Sequence, residues 1–247
     1  MKRIYGRNSL NPKKIPFGKY EVLFDPLPFA DLINSVGEAA SIFNVEAGLS
    51  FLANKANKKV SSNVFSLYND GSFPGGYHYI KFDNEGVPTR ETRIIEKGIF
   101  KNYLHNTSSA KRYKTKTTAN AGLISPTPQN LIVNQGSLKE EELISSIKKG
   151  IYITNIWYTR FQSYTEGNFS TIPRDGIFYI KNGEIKYPIK GIRVSENMLN
   201  LLKNIKSLGK EREQIISWSV SIPVILPHVL VKNVNITKPV EEKLTNN

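Results

Sequence analysis

Apolar residues at Phe29, Leu32, Ile33, Val36, Ala40 and Phe43 recur at the i, i+3, i+4, i+7 spacing of one buried helix face. The pattern predicts a helix that ends before Gly48. Ahead of it, Tyr20–Phe24 is a short apolar strand stopped by Asp25-Pro26. After it the period shortens. Thr92–Ile95 and Ile99–Leu104 flank Glu96-Lys97-Gly98 and predict a hairpin. Asn69-Asp70-Gly71 and Pro74-Gly75-Gly76 read as turns, and Ser108–Lys116 as a short basic helix. Leu131–Val133 is an isolated apolar trio.

Ser137-Leu138-Lys139-Glu140 reads as a capping box that opens a helix running to Gly150. Ile151–Tyr158 is then a strand of β-branched and aromatic residues. Ile177–Ile180 and Glu184–Ile189 flank Asn182-Gly183, a strong two-residue hairpin signal. Ser195 is placed to cap a last helix with Met198, Leu199, Leu202 and Ile205 on one face. Ile222–Val234 is a final strand whose Pro223 and Pro227 predict an edge or a bulge. The elements come to about three helices and nine or ten strands, joined by hairpins rather than by βαβ crossovers. That predicts an α+β fold with a largely antiparallel mixed sheet or barrel. Residues 1–19 read as a linker or entry segment, 20–237 as the domain, and 238–247 as a polar tail.

Composition narrows the chemistry. The chain has no cysteine, which excludes disulfides, thiolate zinc sites, iron–sulfur clusters and a cysteine nucleophile. No window approaches 18 consecutive apolar residues, so no transmembrane helix is expected. The basic start, Met1-Lys2-Arg3, has no apolar stretch behind it, and the expected compartment is the cytoplasm. The net charge of +13 raises the question of nucleic acid. Lys111-Arg112-Tyr113-Lys114-Thr115-Lys116 and Lys55, Lys58 and Lys59 form basic clusters, but the excess is spread along the chain and no nucleic-acid-binding motif accompanies it. A lysine-rich solvated surface is the better reading.

Catalytic motifs are sparse. His78, His105 and His228 stand in no HExxH or HxH spacing, and there is no G-x-S-x-G elbow, P-loop or G-x-G-x-x-G. Asp83-Asn84-Glu85-Gly86 carries two acids in part of a calcium-loop pattern. The closing glutamate is missing, and a tight turn whose acids bond backbone N–H groups is the simpler reading.

Several blocks, taken in order, resemble the C-terminal region of the TldD/PmbA (TldD/TldE) metalloprotease family. The first holds Asp83, Glu85 and Gly86 in Phe82–Thr89, followed by Ile94–Leu104. Asn130–Val133 before an acidic helix start is another. Thr165, Gly167, Asn168, Phe169 and Ser170 resemble the family's Thr-Gly-x-Phe-Ser block. Asn182 and Gly183 fall in Ile180–Gly191, which is similar to its Asn-Gly…Tyr-Pro-Val-Lys-Gly block.

The resemblance implies a divided family. TldD-type members carry HExxxH on a helix and a later cysteine, which hold the metal. With Val36-Gly37 setting the register, the two histidine positions here are Ile33 and Glu38, and the glutamate position is Asn34. The late cysteine falls near Leu208. Isoleucine ligates no metal, and an amide takes no proton from water. The chain therefore resembles the PmbA/TldE kind: a subunit without its own metal or cofactor. It would pair with a TldD-type subunit that carries the metal (zinc is the expected ion), or with itself, and act on peptides. The family's N-terminal domain has no counterpart here. Two other readings remain open: a peptidase using Glu38, Asp83, Glu85 or a histidine at another site, or a basic nucleic-acid-binding module.

Overall fold

In the computed structural model, residues 11–239 are described. Thirteen strands build one sheet, and they are met in chain order as follows. β1 (Gly18–Phe24) leads into α1 (Pro26–Ala39) and α2 (Ile42–Glu46). β2 (Leu67–Asp70), β3 (Glu91–Glu96) and β4 (Ile99–Phe100) precede α3 (Thr107–Arg112) and β5 (Leu131–Val133). Then come α4 (Glu140–Ser145), β6 (Lys149–Ile153), β7 (Ile156–Ser163), β8 (Asn168–Pro173), β9 (Ile177–Lys181), β10 (Glu184–Pro188) and β11 (Arg193–Asn197). The chain closes with α5 (Met198–Lys203), β12 (Ile205–Ser217) and β13 (Val220–Thr237).

The main path runs β10-β9-β6-β1-β13-β5-β2-β3-β4, with β12 and the β11-β8-β7 group joined to it through β13. Only β1–β6 and β13–β5 pair in parallel. The fold is therefore α+β with a mostly antiparallel sheet, as the periodicity predicts, but the sheet stays open rather than closing into a barrel. Among the described residues there are five helices, not about three, and thirteen strands rather than nine or ten.

Each difference has a local cause. The first predicted helix breaks at Ala40–Ser41, because Leu104 pairs with that segment: Leu104 N–H donates to Ala40 O, and Ile42 N–H to Leu104 O. Tertiary pairing overrides a continuous apolar stripe there. The helix near residue 140 is shorter than predicted. Its N-cap is Lys139, whose N–H is bonded by Glu142 Oε2 at 2.7 Å, and it stops at Ser145. Ile151–Tyr158 is two strands, since Thr154-Asn155 turns between β6 and β7. Asn197, not Ser195, caps the last helix, accepting from Asn200 N–H, and Ile205 already belongs to β12. The hairpin at Asn182-Gly183 forms as predicted, with φ of 52° and 77° at the two turn residues.

β13 takes the second of the two placements its prolines predict, a bulged strand rather than an edge. It lies at the centre of the sheet. β12 and then β11 run along one side; β5 and β1 share the other. Pro227 and Pro223 fall beside register shifts in the β12 pairing, so the missing N–H groups coincide with irregularities in the ladder.

Both faces of the central strands are buried. Val22 and Phe24 of β1, with Val229 and Val231 of β13, join the main core under α1. Leu23 and Leu230 point the other way, into a second cluster with Leu143, Ile144, Ile147, Tyr152, Phe178 and Ile180. Period-2 alternation sends successive side chains to opposite layers. α1 lies close to β5 because Gly37 has no side chain: a Cβ there would stand 2.5 Å from Leu131 Cδ1.

At the edge of the second cluster, His228 Nε2 is 2.8 Å from Asp25 Oδ1 and 3.7 Å from Glu140 Oε2. The Tyr152 hydroxyl lies against Asp25 and 3.1 Å from Glu140 Oε1. Burial on its own lowers the His228 pKa. The hydrogen bond and charge of Asp25, with Glu140 and Glu213 beyond it, outweigh that and hold it above the ordinary value. The folded state therefore binds this proton more tightly than the unfolded chain does. Its stabilisation is complete below about pH 6.5, the unfolded value, and is lost as pH rises through the folded one. Urea unfolding from about pH 6 to about pH 9 should show that loss, and His228→Gln should flatten it. Identical pH slopes for the two proteins would refute the assignment.

Of the segments expected at the two ends, 1–19 falls partly outside the described residues. Gly18 and Lys19 belong to β1, and Lys13 bridges to Ile189. All but the first two residues of the 238–247 tail lie outside them. Among the described residues no helix is long and apolar enough to cross a membrane.

Candidate functional site

A cleft lies between α1, β7 and the turn joining β12 to β13. Its volume is about 360 Å³. Asp31, Asn34, Ser35 and Glu38 line it from α1; Thr159, Phe161 and Tyr164 from β7 and the turn after it; Ser219 and Ser221 from the start of β13. A smaller cavity of about 240 Å³ shares Asp31, Thr159 and Ser219 with it and adds Tyr158, Arg160 and Trp218. The i, i+3, i+4, i+7 stripe explains the placement. The apolar side of α1 is in the core, so Asp31, Asn34, Ser35 and Glu38 fall on its other side.

The polar groups of this cleft differ in what they are free to do. Asn34 is 5% exposed, and both ends of its amide are engaged. Nδ2 donates to Ile222 O at 2.8 Å, and Oδ1 accepts from Ile222 N–H at 3.0 Å. Ile222 lies beyond the end of β5, so this side chain supplies the two bonds a neighbouring strand would make. Asp31 accepts from the Thr159 hydroxyl, and burial raises its pKa against that bond. Glu38 sits at the solvent edge; burial first and then the charge of Asp31 raise its pKa.

The residues singled out in the sequence scatter. Asn34 and Glu38 line the cleft, but Ile33 is fully buried in the main core. Leu208 is buried on β12 opposite Val229, whereas Asn34 meets β13 seven positions earlier, at Ile222. The structure does not bring Leu208 to the cleft.

The Asp83–Gly86 block forms a tight turn. Asp83 Oδ1 accepts from Glu85 and Val87 N–H, Oδ2 accepts from Ala121 N–H, and Gly86 takes φ 77°. Glu85 Oε2 accepts from Thr107 N–H at the start of α3. These acids bond backbone amides.

Thr165–Gly167 lie in the β7–β8 turn, and Asn168–Ser170 open β8. Gly167 O accepts from Met198 N–H, and Asn168 Oδ1 from Asn197 Nδ2. Phe169 is buried against Phe161, and Ser170 Oγ accepts from Arg193. Asn182 and Gly183 lie on the opposite layer, their N–H groups bonded to Lys148 O and Ile147 O.

None of the three histidines lines the cleft. His105 Nδ1 is 3.2 Å from Ser109 Oγ, and His78 N–H donates to Asn130 Oδ1. Sequence reading missed Asp31, Thr159 and the Ser219–Ser221 turn. Asp31 had a signal, since it sits one turn from Asn34 and two from Glu38 on the same helix. The others come from remote segments and had none.

Residues 17–238 match the PmbA/TldA metallopeptidase C-terminal domain. The chain belongs to this family. Among curated relatives of the family, a metalloprotease of Methanocaldococcus jannaschii is 29% identical over 229 residues, 87% of this chain and 49% of that one. A metalloprotease PmbA homologue of Buchnera aphidicola is 30% identical over 222 residues, 88% of this chain and 48% of that one. TldE from Thermococcus kodakarensis superposes with a TM-score of 0.83 at 25% identity, covering 94% of this chain and 53% of that one. A candidate modulator of a DNA gyrase from Thermotoga maritima gives 0.86 at 30%, covering 94% and 52%. The chain thus spans about half the length of the relatives it matches.

The family name implies a metal, and the donor set of this cleft does not fit one. A zinc peptidase site takes three protein ligands from imidazole, thiolate or carboxylate. Here the cleft offers two carboxylates of raised pKa and an amide already committed to β13. Among the described residues no group of three or more histidine, cysteine or acidic side chains is placed to hold an ion.

Proposed function

We propose that this chain is the C-terminal domain of a non-catalytic, TldE-like subunit. In this reading it pairs with a TldD-type subunit that carries the metal, in a complex acting on peptides in the cytoplasm. The observation that carries the reading is the state of α1. At the family's three motif positions stand a core isoleucine, an amide spent on β13, and a lone glutamate at the rim. Membership of the family and likeness to TldE support it. In this role α1 is a structural brace, and a metal-bound water would have to come from the partner.

The experiment is reconstitution. The chain alone should hold no stoichiometric zinc and hydrolyse no peptide. Mixed with an HExxxH-bearing TldD-type chain, it should co-elute and give hydrolysis that a chelator abolishes. Stoichiometric metal in the lone chain, with chelator-sensitive hydrolysis, would overturn the proposal. So would failure of the two chains to associate.

A further inference from the structure

We propose that the cleft between α1 and β7 receives a positively charged side chain, the ammonium of lysine or the guanidinium of arginine, from an extended peptide segment. This rests on the peptide-handling role above and specifies which peptides the cleft prefers.

Three independent observations converge on it. The first is charge. The chain carries a net +13, yet no lysine or arginine lines the main cleft; Asp31 and Glu38 are its only ionisable carboxylates, and Arg160 borders just the smaller cavity. Neither acid makes a salt bridge among the described residues. They are seven residues apart on one helix, about 10 Å along its axis. Burial raises the pKa of both acids, the charge of Asp31 adds to the rise at Glu38, and a cation brought beside either would oppose it.

The second observation is the wall opposite. Phe161 stacks on Phe51, with centroids 6.2 Å apart and planes at 8°, and on Tyr164, at 5.1 Å and 17°. The array ends in Tyr164, half exposed. Parallel rings with an open outer face attract a cation through the ring quadrupole. They also cover the methylene stem of a lysine or arginine.

The third is shape. The two cavities adjoin at Asp31, Thr159 and Ser219, which line both, and side by side they offer a longer surface than either alone. Trp218, 74% exposed at the β12–β13 turn and edge-on to Trp157 at 5.8 Å, stands at its far end. An extended chain passing through has room to leave one side chain in the acidic part.

The test uses the chain alone, so its outcome is separate from subunit pairing. Binding of an end-blocked Ala-Ala-Lys-Ala-Ala peptide is compared with that of the same peptide carrying acetyl-lysine, by calorimetry at low salt. The lysine peptide should bind about tenfold more tightly, the size expected for one charge-assisted contact with a ring contribution. Asp31→Asn, which keeps an acceptor for Thr159, should bring the ratio close to one without lowering the melting temperature. Tyr164→Ala should reduce it. Equal affinity for both peptides, or binding of neither, would overturn the proposal. So would Asp31-dependent binding of Zn²⁺ that the lysine peptide does not compete with. Failure to pair with a TldD-type chain would instead strike the functional reading.

Discussion

Asn34→Asp should lower the unfolding free energy by about 3 kcal/mol at neutral pH, because it removes a donor and buries a charge against a carbonyl. The two side chains have the same shape, so packing around α1 is unchanged and the loss is electrostatic. In the native protein Nδ2 donates to Ile222 O and Oδ1 accepts from Ile222 N–H. A carboxylate can still accept. It cannot donate, and its second oxygen would face the Ile222 oxygen at hydrogen-bond distance in a site 5% exposed. The melting temperature should fall by about 6–12 °C for a domain of this size. The defect should shrink in acid. Once protonated, the introduced carboxyl carries the O–H that Ile222 O requires, so the folded state binds that proton more tightly than the unfolded chain does. Stability of the variant relative to the parent then rises as pH falls. Thermal unfolding at about pH 5 and about pH 8 separates this from a packing defect, which would not depend on pH. A loss below about 1 kcal/mol at both values would remove Asn34 from its bracing role.

The same residue shows how far the sequence could be read. The stripe Phe29, Leu32, Ile33, Val36 defined which side of α1 is buried, because 3.6-residue periodicity is a local property. The hairpins at Lys97-Gly98 and Asn182-Gly183 were legible for a similar reason. Both pairs take positive φ, which is what a tight turn between right-twisted strands demands. The central place of β13 was not legible. Pro223 and Pro227 predict an edge or a bulge, and nothing nearby decides between them or reveals that four other strands pair with β13. The break at Ser41 depends likewise on Leu104, and the Asp25–His228 pair on residues from opposite ends of the chain.

At the cleft, two of the degenerate motif positions, Asn34 and Glu38, fall on the helix that lines it. Thr159, Tyr164 and Ser219 reach that helix through the sheet, which no window along α1 contains. Leu208 illustrates the reverse case. The family resemblance set a motif position near it, but β12 carries it past the cleft to pair with Val229.

Ile33→His, which restores one family ligand, should cost about 4 kcal/mol and should not recruit zinc. Ile33 is fully buried on the core side of α1, while Asn34 and Glu38 face the cleft. Replacing it forfeits the burial of an isoleucine, about 2 kcal/mol. It also places two ring nitrogens in an apolar environment with no donor or acceptor nearby, about 2 kcal/mol more. The melting temperature should drop by about 8–16 °C. Burial disfavours the imidazolium, so the folded-state pKa of this histidine lies below the unfolded value. Its unfolded form gains protons first as pH falls, and the variant should weaken further below about pH 6.5, the opposite trend to that of His228. Zinc discriminates between a buried ring and one that swings into the cleft. A ring held in the core leaves the melting temperature unchanged on adding the ion. A ring that reaches Glu38 would raise it, since ligand binding to the folded state alone stabilises it. A zinc-dependent rise, or a loss below about 1 kcal/mol, would mean that position 33 opens toward the cleft and that one substitution suffices to start rebuilding a metal site. The packing of Ile33 with Phe29, Leu32 and Val36 argues against that: the position cannot turn outward without taking the helix's apolar stripe with it.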